Sequence, residues 1–348
     1  MARERIISSG NESPEEERTN HALRPQLLDE VVGQKQVIEQ LRIALEAAKG
    51  RGEPMEHVLF DGPPGLGKTT LAHVIANEMG TNVRVTSGPA IGKQSDLMTV
   101  LTNLEPGEIL FIDEIHRLAA AVEEFLYPAM EDFRVDYTLE GGLGGRTINF
   151  KLNKFTMIGA TTRTGLLTAA LRDRFGIHFH LDFYKPDELK TILSRSAKML
   201  HVPADEDALE LMANRSRGTP RVANRLLRRA RDYVQVRSNG HLTSKAVELA
   251  LGILQVDELG LDDLDRAYLR TLIETYECGP VGVEALAAAM SQERDTLEDV
   301  VEPYLLQIGF VLRTRQGRCA SRAACKHMKL PYKPPHAGPD DAPSLFEQ

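Results

Sequence analysis

The amino-acid sequence predicts an α/β core built on a parallel sheet, followed by a small all-helical domain and a C-terminal winged helix; three stretches carry that prediction. The first is 58-VLFDGPPGLGKTTLAHVIANEMG-80, where an apolar run breaks at a Gly/Pro-rich loop and resumes as an amphipathic pattern, giving strand, loop and helix. The second is 109-ILFIDEIHRL-118, four apolar residues without alternation, as a strand buried on both faces requires, ending in two acids. The third is 310-FVLRTRQGRCAS-321, which alternates as two short strands about a turn at Gln316-Gly317.

A chain of 348 residues exceeds one ordinary core and suits two or three domains. Its net charge of -8 excludes a uniformly basic nucleic-acid coat and leaves local patches open. Cys278, Cys319 and Cys325 lack paired ligand spacing, so they read as buried or incidental thiols rather than a zinc site or a disulfide framework. No signal core opens the chain and no window approaches membrane-spanning length, so a cytoplasmic protein away from the membrane is expected.

Taken in order, residues 1–20 are polar and acidic, with Glu12, Glu15, Glu16 and Glu17, and predict a disordered leader. A large domain over 21–184 follows. It opens with a Pro-marked turn and a helix whose apolar face is Val37, Ile38, Leu41, Leu45 and Ala48, ended by Gly52 and Pro54. The loop after Asp61 matches G-x-x-x-x-G-K-[ST] in full. Gly62, Gly65 and Gly67 let consecutive amides point at phosphate oxygens, Lys68 adds a point charge, and Thr69 offers magnesium a hydroxyl. The helix that starts at Lys68 turns its positive end on the same anion.

The strand at 109 is expected beside the phosphate-loop strand, with Asp113 reaching magnesium, through water, and Glu114 polarising an attacking water. His116 reads equally as a packing residue or a catalytic one. Between the helix 119–132 and the strand 155–163, alternating flanks around Gly141, Gly142, Gly144 and Gly145 predict an inserted hairpin over 133–153. It reads either as a partner-contact device or as a mere edge extension. Thr161 and Thr162 end the next strand, where a hydroxyl could sense the terminal phosphate, and Arg172 and Arg174 follow on a surface suited to meeting a neighbour.

From 185 to 256 the composition turns helical, with segments near 187–200, 205–217, 220–237 and 243–254. Arg221 stands at a helix start, where a cation opposes the dipole unless a phosphate is bound there; the remaining arginines of this stretch are expected on a solvated or acid-paired face. The head, 257–330, reads as helices over 262–277, 283–290 and 295–308 and then the terminal hairpin. From Arg313 to Lys333 seven basic residues occur without an acid, so the wing suits a DNA backbone, a solvated tail being the alternative. Residues 331–348 are Pro-rich and predict a disordered tail.

The combination of GPPGLGKTT with LFIDEIHRL, YPAMEDF, IGATTR, LRDRFGI, RGTPRVANRLLRR, GPVG and ERDTLEDVVEPYLLQIGF resembles the RuvB family of bacterial Holliday-junction branch-migration ATPases, over about Leu23 to Ser321. That resemblance implies an AAA+ P-loop ATPase core with a helical lid and a winged-helix head, ATP and Mg2+ as cofactors, and a homo-hexameric ring. It implies Leu23, Arg24 and Tyr184 against adenine, Gly65, Gly67, Lys68, Thr69 and Thr70 on the phosphates, and Thr162 and Arg221 as sensors. Glu131, Asp132 and Phe133 would approach nucleotide from a neighbouring subunit, with Arg174 as the finger supplied in trans. Arg313 and Arg318 match DNA-contacting positions, although the turn here reads Arg313-Thr314-Arg315-Gln316-Gly317-Arg318 where the family commonly has Arg-Thr-Pro-Arg-Gly-Arg.

The implied partners are Holliday-junction and duplex DNA, RuvA docked on the inserted hairpin, and the RuvC resolvase, in recombination, repair and the SOS response. A clamp-loader-like ATP-switched DNA-binding module is the alternative. A protein-unfolding ring predicts an aromatic pore loop, which 86-TSGPAIGKQSD-96 lacks.

Overall fold

The computed structural model describes residues 22–139 and 146–334. The expected leader, the tail beyond 334 and the glycine-rich tip of the inserted hairpin lie outside the described residues. The chain divides into two compact units: one runs to Ile192 and includes Thr219–Arg221, and the other comprises Leu193–Gly218 and Val222 onward.

The first unit contains β1 (Val58–Asp61), β2 (Val83–Ser87), β3 (Ile109–Asp113), the hairpin strands β4 (Arg134–Leu139) and β5 (Arg146–Lys151), β6 (Thr156–Thr161) and β7 (Ile177–His180). All but the hairpin pair form one parallel sheet in the order β2-β3-β6-β1-β7. One expectation needs correction here, because β6 lies between β3 and β1. With roughly 4.8 Å per strand, Asp113 leaves the sheet about 10 Å from the end of β1. The intervening strand carries Thr161, in register with Asp61, into that gap.

The apolar runs that predicted these strands are their buried faces: Val58 to Phe60, Ile109 to Ile112 and all of β6 are buried. Gly159 in β6 has a packing reason, since a Cβ there would stand 2.8 Å from the Phe175 ring. Helices α1 (Lys35–Arg51), α2 (Lys68–Met79), α3 (Gln94–Thr102), α4 (Ala120–Glu131) and the short α5 (Ala169–Arg172) complete the unit. α1 buries Val37, Leu41, Leu45 and Ala48, as its periodicity required, and stops where Gly52 takes a left-handed φ of 65°.

His57, just before β1, ties this unit together from inside. The Met157 amide donates to Nδ1 at 2.9 Å, so Nε2 carries the proton and donates to the Met130 carbonyl at 3.1 Å. Burial lowers its pKa, which keeps this neutral tautomer in place.

The second unit takes up α6 (Pro186–Met199) from Leu193 and continues with α7 (Glu206–Asn214), α8 (Pro220–Arg237) from Val222, and α9 (Ser244–Ile253). Its head contains α10 (Asp263–Arg270), α11 (Val283–Met290), α12 (Glu302–Gln307), the hairpin β8 (Val311–Thr314) and β9 (Gly317–Ala320), and α13 (Arg322–Met328). Three details refine the expectation. The helix foreseen over 295–308 runs without a break from Arg294 to Gln307 but widens into a π turn at Leu297–Val301, because Pro303 has no N–H to give and its ring crowds the preceding turn. The wing turns at Arg315-Gln316, one residue early, where the Thr314 hydroxyl accepts from the amides of Gln316 and Gly317, both at 3.2 Å. Arg217 and Arg228 are buried rather than solvated, and Arg217 meets the acid-paired alternative expected of the arginines around α8, since it bonds Asp265.

Candidate active site

The phosphate loop connects β1 to α2 with Gly62, Gly65 and Gly67 at φ of 130°, 81° and 103°, values that a side chain would resist. Lys68 is 7% exposed, and its Nζ donates to the carbonyls of Gly62 at 2.7 Å and Pro63 at 3.0 Å. Burial brings its pKa down to about 8 against the upward pull of Asp113 and Glu114; Arg221 adds to the lowering. These influences gather the expected acids and the expected sensor arginine about one ammonium group. Arg221 lies against the loop directly, its backbone N 3.4 Å from the Gly65 carbonyl oxygen.

At the end of β3, Asp113 Oδ1 accepts from the Glu114 amide at 3.0 Å, and Glu114 itself takes a left-handed φ of 49°. That turn sends the Glu114 carboxylate to His116 Nε2 at 3.3 Å and within 3.5 Å of the Thr162 hydroxyl. His116 Nδ1 stands 2.9 Å from the buried Thr161 hydroxyl. The two adjacent threonines therefore divide their work: Thr161 orients His116 within the fold, while Thr162 faces the glutamate.

Tyr184 lies 118 residues from Leu66 in sequence, yet its hydroxyl donates to the Leu66 carbonyl at 3.2 Å. Its ring packs on Gly33, where a Cβ would stand 2.8 Å from the tyrosine. Leu23 is buried, and the segment after Arg24 is held on α2: Asn77 donates to the Gln26 carbonyl at 3.0 Å, and Glu78 accepts from the Leu28 amide at 3.1 Å. Thr69 and Thr70 occupy the first turn of α2, both part-exposed.

Among the described residues no group of three His, Cys, Asp or Glu could hold a metal alone. The donors at hand are the Thr69 hydroxyl and the Asp113 carboxylate, hard oxygens that suit magnesium when phosphate oxygens and water complete its shell.

Four of the expected residues gather elsewhere in the same unit. Arg174 pairs with Glu131 at 3.2 Å, donates to the Ala170 carbonyl at 2.6 Å and lies 4.1 Å over the Tyr127 ring, while its buried Nε has no hydrogen-bond partner. Tyr127 donates to Glu123 at 2.8 Å, and Thr168 also bonds Glu123. Asp132 pairs with Arg134 at 3.2 Å, whereas the Phe133 ring turns inward, 5.8 Å from Phe155. Sequence reasoning missed Glu123 and Tyr127; their spacing of four residues from each other and from Glu131, along one face of α4, was the available signal.

In the head, Glu302 is fully buried and accepts from Tyr268, Arg313 and Arg318 at 3.0, 2.5 and 3.0 Å. Glu298 takes a further bond from Arg318 at 2.8 Å. The Arg313 side chain keeps 48% of its exposure and Arg318 only 16%. Glu302 is a third residue that sequence reading missed.

Sequence comparison divides the chain into three matches: residues 23–181 fit the Holliday junction DNA helicase RuvB P-loop domain, 184–257 the RuvB AAA lid domain, and 258–329 the RuvB C-terminal winged helix domain. Among curated relatives, the Holliday junction branch migration complex subunit RuvB of Kosmotoga olearia is 57% identical over 315 residues, covering 90% of this chain and 92% of that protein. Its namesake from Dehalococcoides mccartyi is 54% identical over 331 residues, 95% of each chain. Among solved structures, the Thermotoga maritima RuvB Holliday junction branch migration motor superposes with a TM-score of 0.82 at 50% identity, over 89% of this chain and 99% of its own. With three matched domains in the same order and more than half of its residues shared with full-length relatives, this chain belongs to the RuvB family.

Proposed function

We propose that the chain is the ATP-driven motor of Holliday-junction branch migration, acting in the cytoplasm as a hexameric ring on junction and duplex DNA with RuvA, and in concert with the RuvC resolvase. The observation that carries this reading is the separation of the site residues into two groups. Lys68, Asp113, Glu114, Thr162 and Arg221 converge on the phosphate loop, whereas Arg174 and Glu131 bind each other. A half-site of this kind is complete when a neighbouring subunit supplies the second group to the first.

Hydrolysis is phosphoryl transfer to water, so the protein contributes position and charge rather than a covalent intermediate. The loop amides and Lys68 hold the phosphates, and Leu23, Arg24 and Tyr184 enclose the base. Glu114 orients the attacking water, itself oriented by His116 and Thr162. Thr69, and Asp113 through water, would hold magnesium, which would supply charge neutralisation at the phosphates. Arg174 exchanges Glu131 for the partner's terminal phosphate, and Thr162 and Arg221 register its loss. The test is a synthetic four-way junction with RuvA, with and without ATP. Junction movement coupled to hydrolysis is expected; nucleotide-dependent binding without movement would favour a clamp-loader-like switch instead.

A further inference from the structure

We infer that Arg217 is the positioning residue that couples the nucleotide-sensing turn to the DNA-binding head, an inference that rests on the motor reading above. Arg217 is 3% exposed and takes a left-handed φ of 55°, a conformation that a long side chain adopts at a cost. That backbone twist sends its guanidinium inward, where NH2 donates to Asp265 Oδ1 at 2.7 Å and the group lies 5.0 Å over the Tyr304 ring. Asp265, 1% exposed, uses its other oxygen to accept from the Asp262 amide at 3.0 Å, within the capping box that starts α10. Tyr304 donates to the Leu259 carbonyl at 2.7 Å. Gly260, at φ 80°, is pressed on the same turn: a Cβ there would stand 2.4 Å from the Arg215 carbonyl oxygen and 3.2 Å from Arg217 Cγ.

One side chain from the turn between α7 and α8 of the lid is thus fastened to the first helix of the head and to α12. Two residues before Tyr304 in α12 is Glu302, which holds Arg313 and Arg318 of the wing. In the other direction along the chain, only Gly218 separates Arg217 from Thr219–Arg221, the turn that belongs with the phosphate-loop unit. The path from the Gly65 carbonyl to the wing therefore runs through Arg221, a three-residue turn, Arg217, then Asp265 and Tyr304, and finally Glu302. Each link is a backbone connection or a charged, buried contact. A displacement of the sensing turn reaches the wing as long as Arg217 transmits it.

The experiment uses full-length protein with RuvA on a synthetic four-way junction, comparing Arg217→Met, Asp265→Asn and the double variant with the parent. ATP turnover should stay within about threefold of the parent while junction movement falls about tenfold or more, so that ATP spent per base pair rises. The double variant should be no worse than the poorer single, because the two groups act through each other. Asp265→Asn keeps the cap acceptor, so it reads the coupling even if Arg217→Met melts too low for assay. Turnover and movement falling in proportion, or both remaining at parental values, would overturn the inference. A second readout separates it from the motor reading: ATP-dependent change in affinity for plain duplex DNA should be present in the parent and lost in the variants. If the parent changes affinity but moves no junction, the motor reading fails and the coupling still stands on this assay; if the variants retain the change, the coupling fails.

Discussion

The phosphate loop and the wing are both basic sites announced by short motifs, yet the fold constructs them in opposite ways. At the loop, backbone geometry does most of the binding, and the one lysine is buried against its own loop carbonyls, available to any anion that outcompetes them. In the wing, Glu302 has already claimed both arginines that the family pattern marks for DNA. A motif whose chemistry lives in the main chain survives folding intact, whereas a count of surface charges says little about which charges remain available.

The comparison breaks most visibly at Glu114, whose carboxylate stands at the centre of the loop-side group. Glu114→Gln should lower ATP turnover by about 10²- to 10⁴-fold, the span of a lost general base, with nucleotide affinity nearly unchanged. Turnover and equilibrium nucleotide binding measured on one preparation check it, and parental turnover in the variant would remove Glu114 from its role. The head answers differently. Glu302→Ala strands Arg313, Arg318 and Tyr268 around a fully buried position, so urea unfolding should register a loss of about 3–5 kcal/mol in the head. Sharper still is the contrast between the two arginines: Arg313→Ala should reduce the salt dependence of duplex binding by about one counterion, while Arg318→Ala should act on stability first.

These outcomes bear on what the sequence could convey. The strands were legible because Ile109 to Ile112 and Val58 to Phe60 are uninterrupted apolar runs, and such runs have few other uses in a parallel sheet. Strand order was not: nothing local to 109–113 or 155–161 says that β6 enters between β3 and β1, since register and order arise from crossovers. Residues of the site were legible where a motif fixes them to a loop or a strand end, as with Lys68 and Asp113. Arg217 and Glu302 were illegible for a shared reason: each acts through a partner that only tertiary structure supplies, 48 residues away for Arg217; the spacing of Tyr127 from Glu123 and Glu131 was a local signal, but the Arg174 that its ring seats was not. Basic residues beyond Arg313 read as one patch, and only the positions of Glu298 and Glu302 on the preceding helical turns divide it.

Lys68 offers a smaller and finer test of the loop side. Its ammonium group, held down to about 8 by burial, is charged below that pH and loses its proton above it in the nucleotide-free protein. Phosphate oxygens favour the charged form, so nucleotide affinity should fall about tenfold between pH 7 and 9, with proton uptake on binding that calorimetry in buffers of different ionisation enthalpy would detect. The stability sign is opposite. Between about 8 and its ordinary value of 10.5 the unfolded chain holds the proton that the folded chain has released, so this group makes stability rise with pH across that window. A pH-independent affinity over the same range would mean that burial does not hold the Lys68 proton as loosely as the geometry indicates.

The smallest expected effect concerns the second group, where Arg174 waits against α4. Its guanidinium lies 4.1 Å over Tyr127, whose hydroxyl is fixed by Glu123 one turn earlier, and Glu131 one turn later takes the remaining charge. Burial raises the Tyr127 pKa, so the ring stays a neutral phenol and its face keeps the electron density that attracts a cation. Tyr127→Leu removes an attraction of about 0.5–2 kcal/mol and lets Arg174 wander, which should lower kcat a few-fold to roughly tenfold. KM for ATP should hardly move, because the Tyr127 side chain bonds Glu123 and seats Arg174, both outside the group proposed to bind nucleotide within the same subunit. Tyr127→Phe keeps the ring and loses only the bond to Glu123, so it should recover most of the rate. If instead the leucine and phenylalanine variants behave alike, the hydroxyl rather than the ring face holds the arginine, and the stripe Glu123–Tyr127–Glu131 works as a hydrogen-bonded rail instead of an aromatic seat.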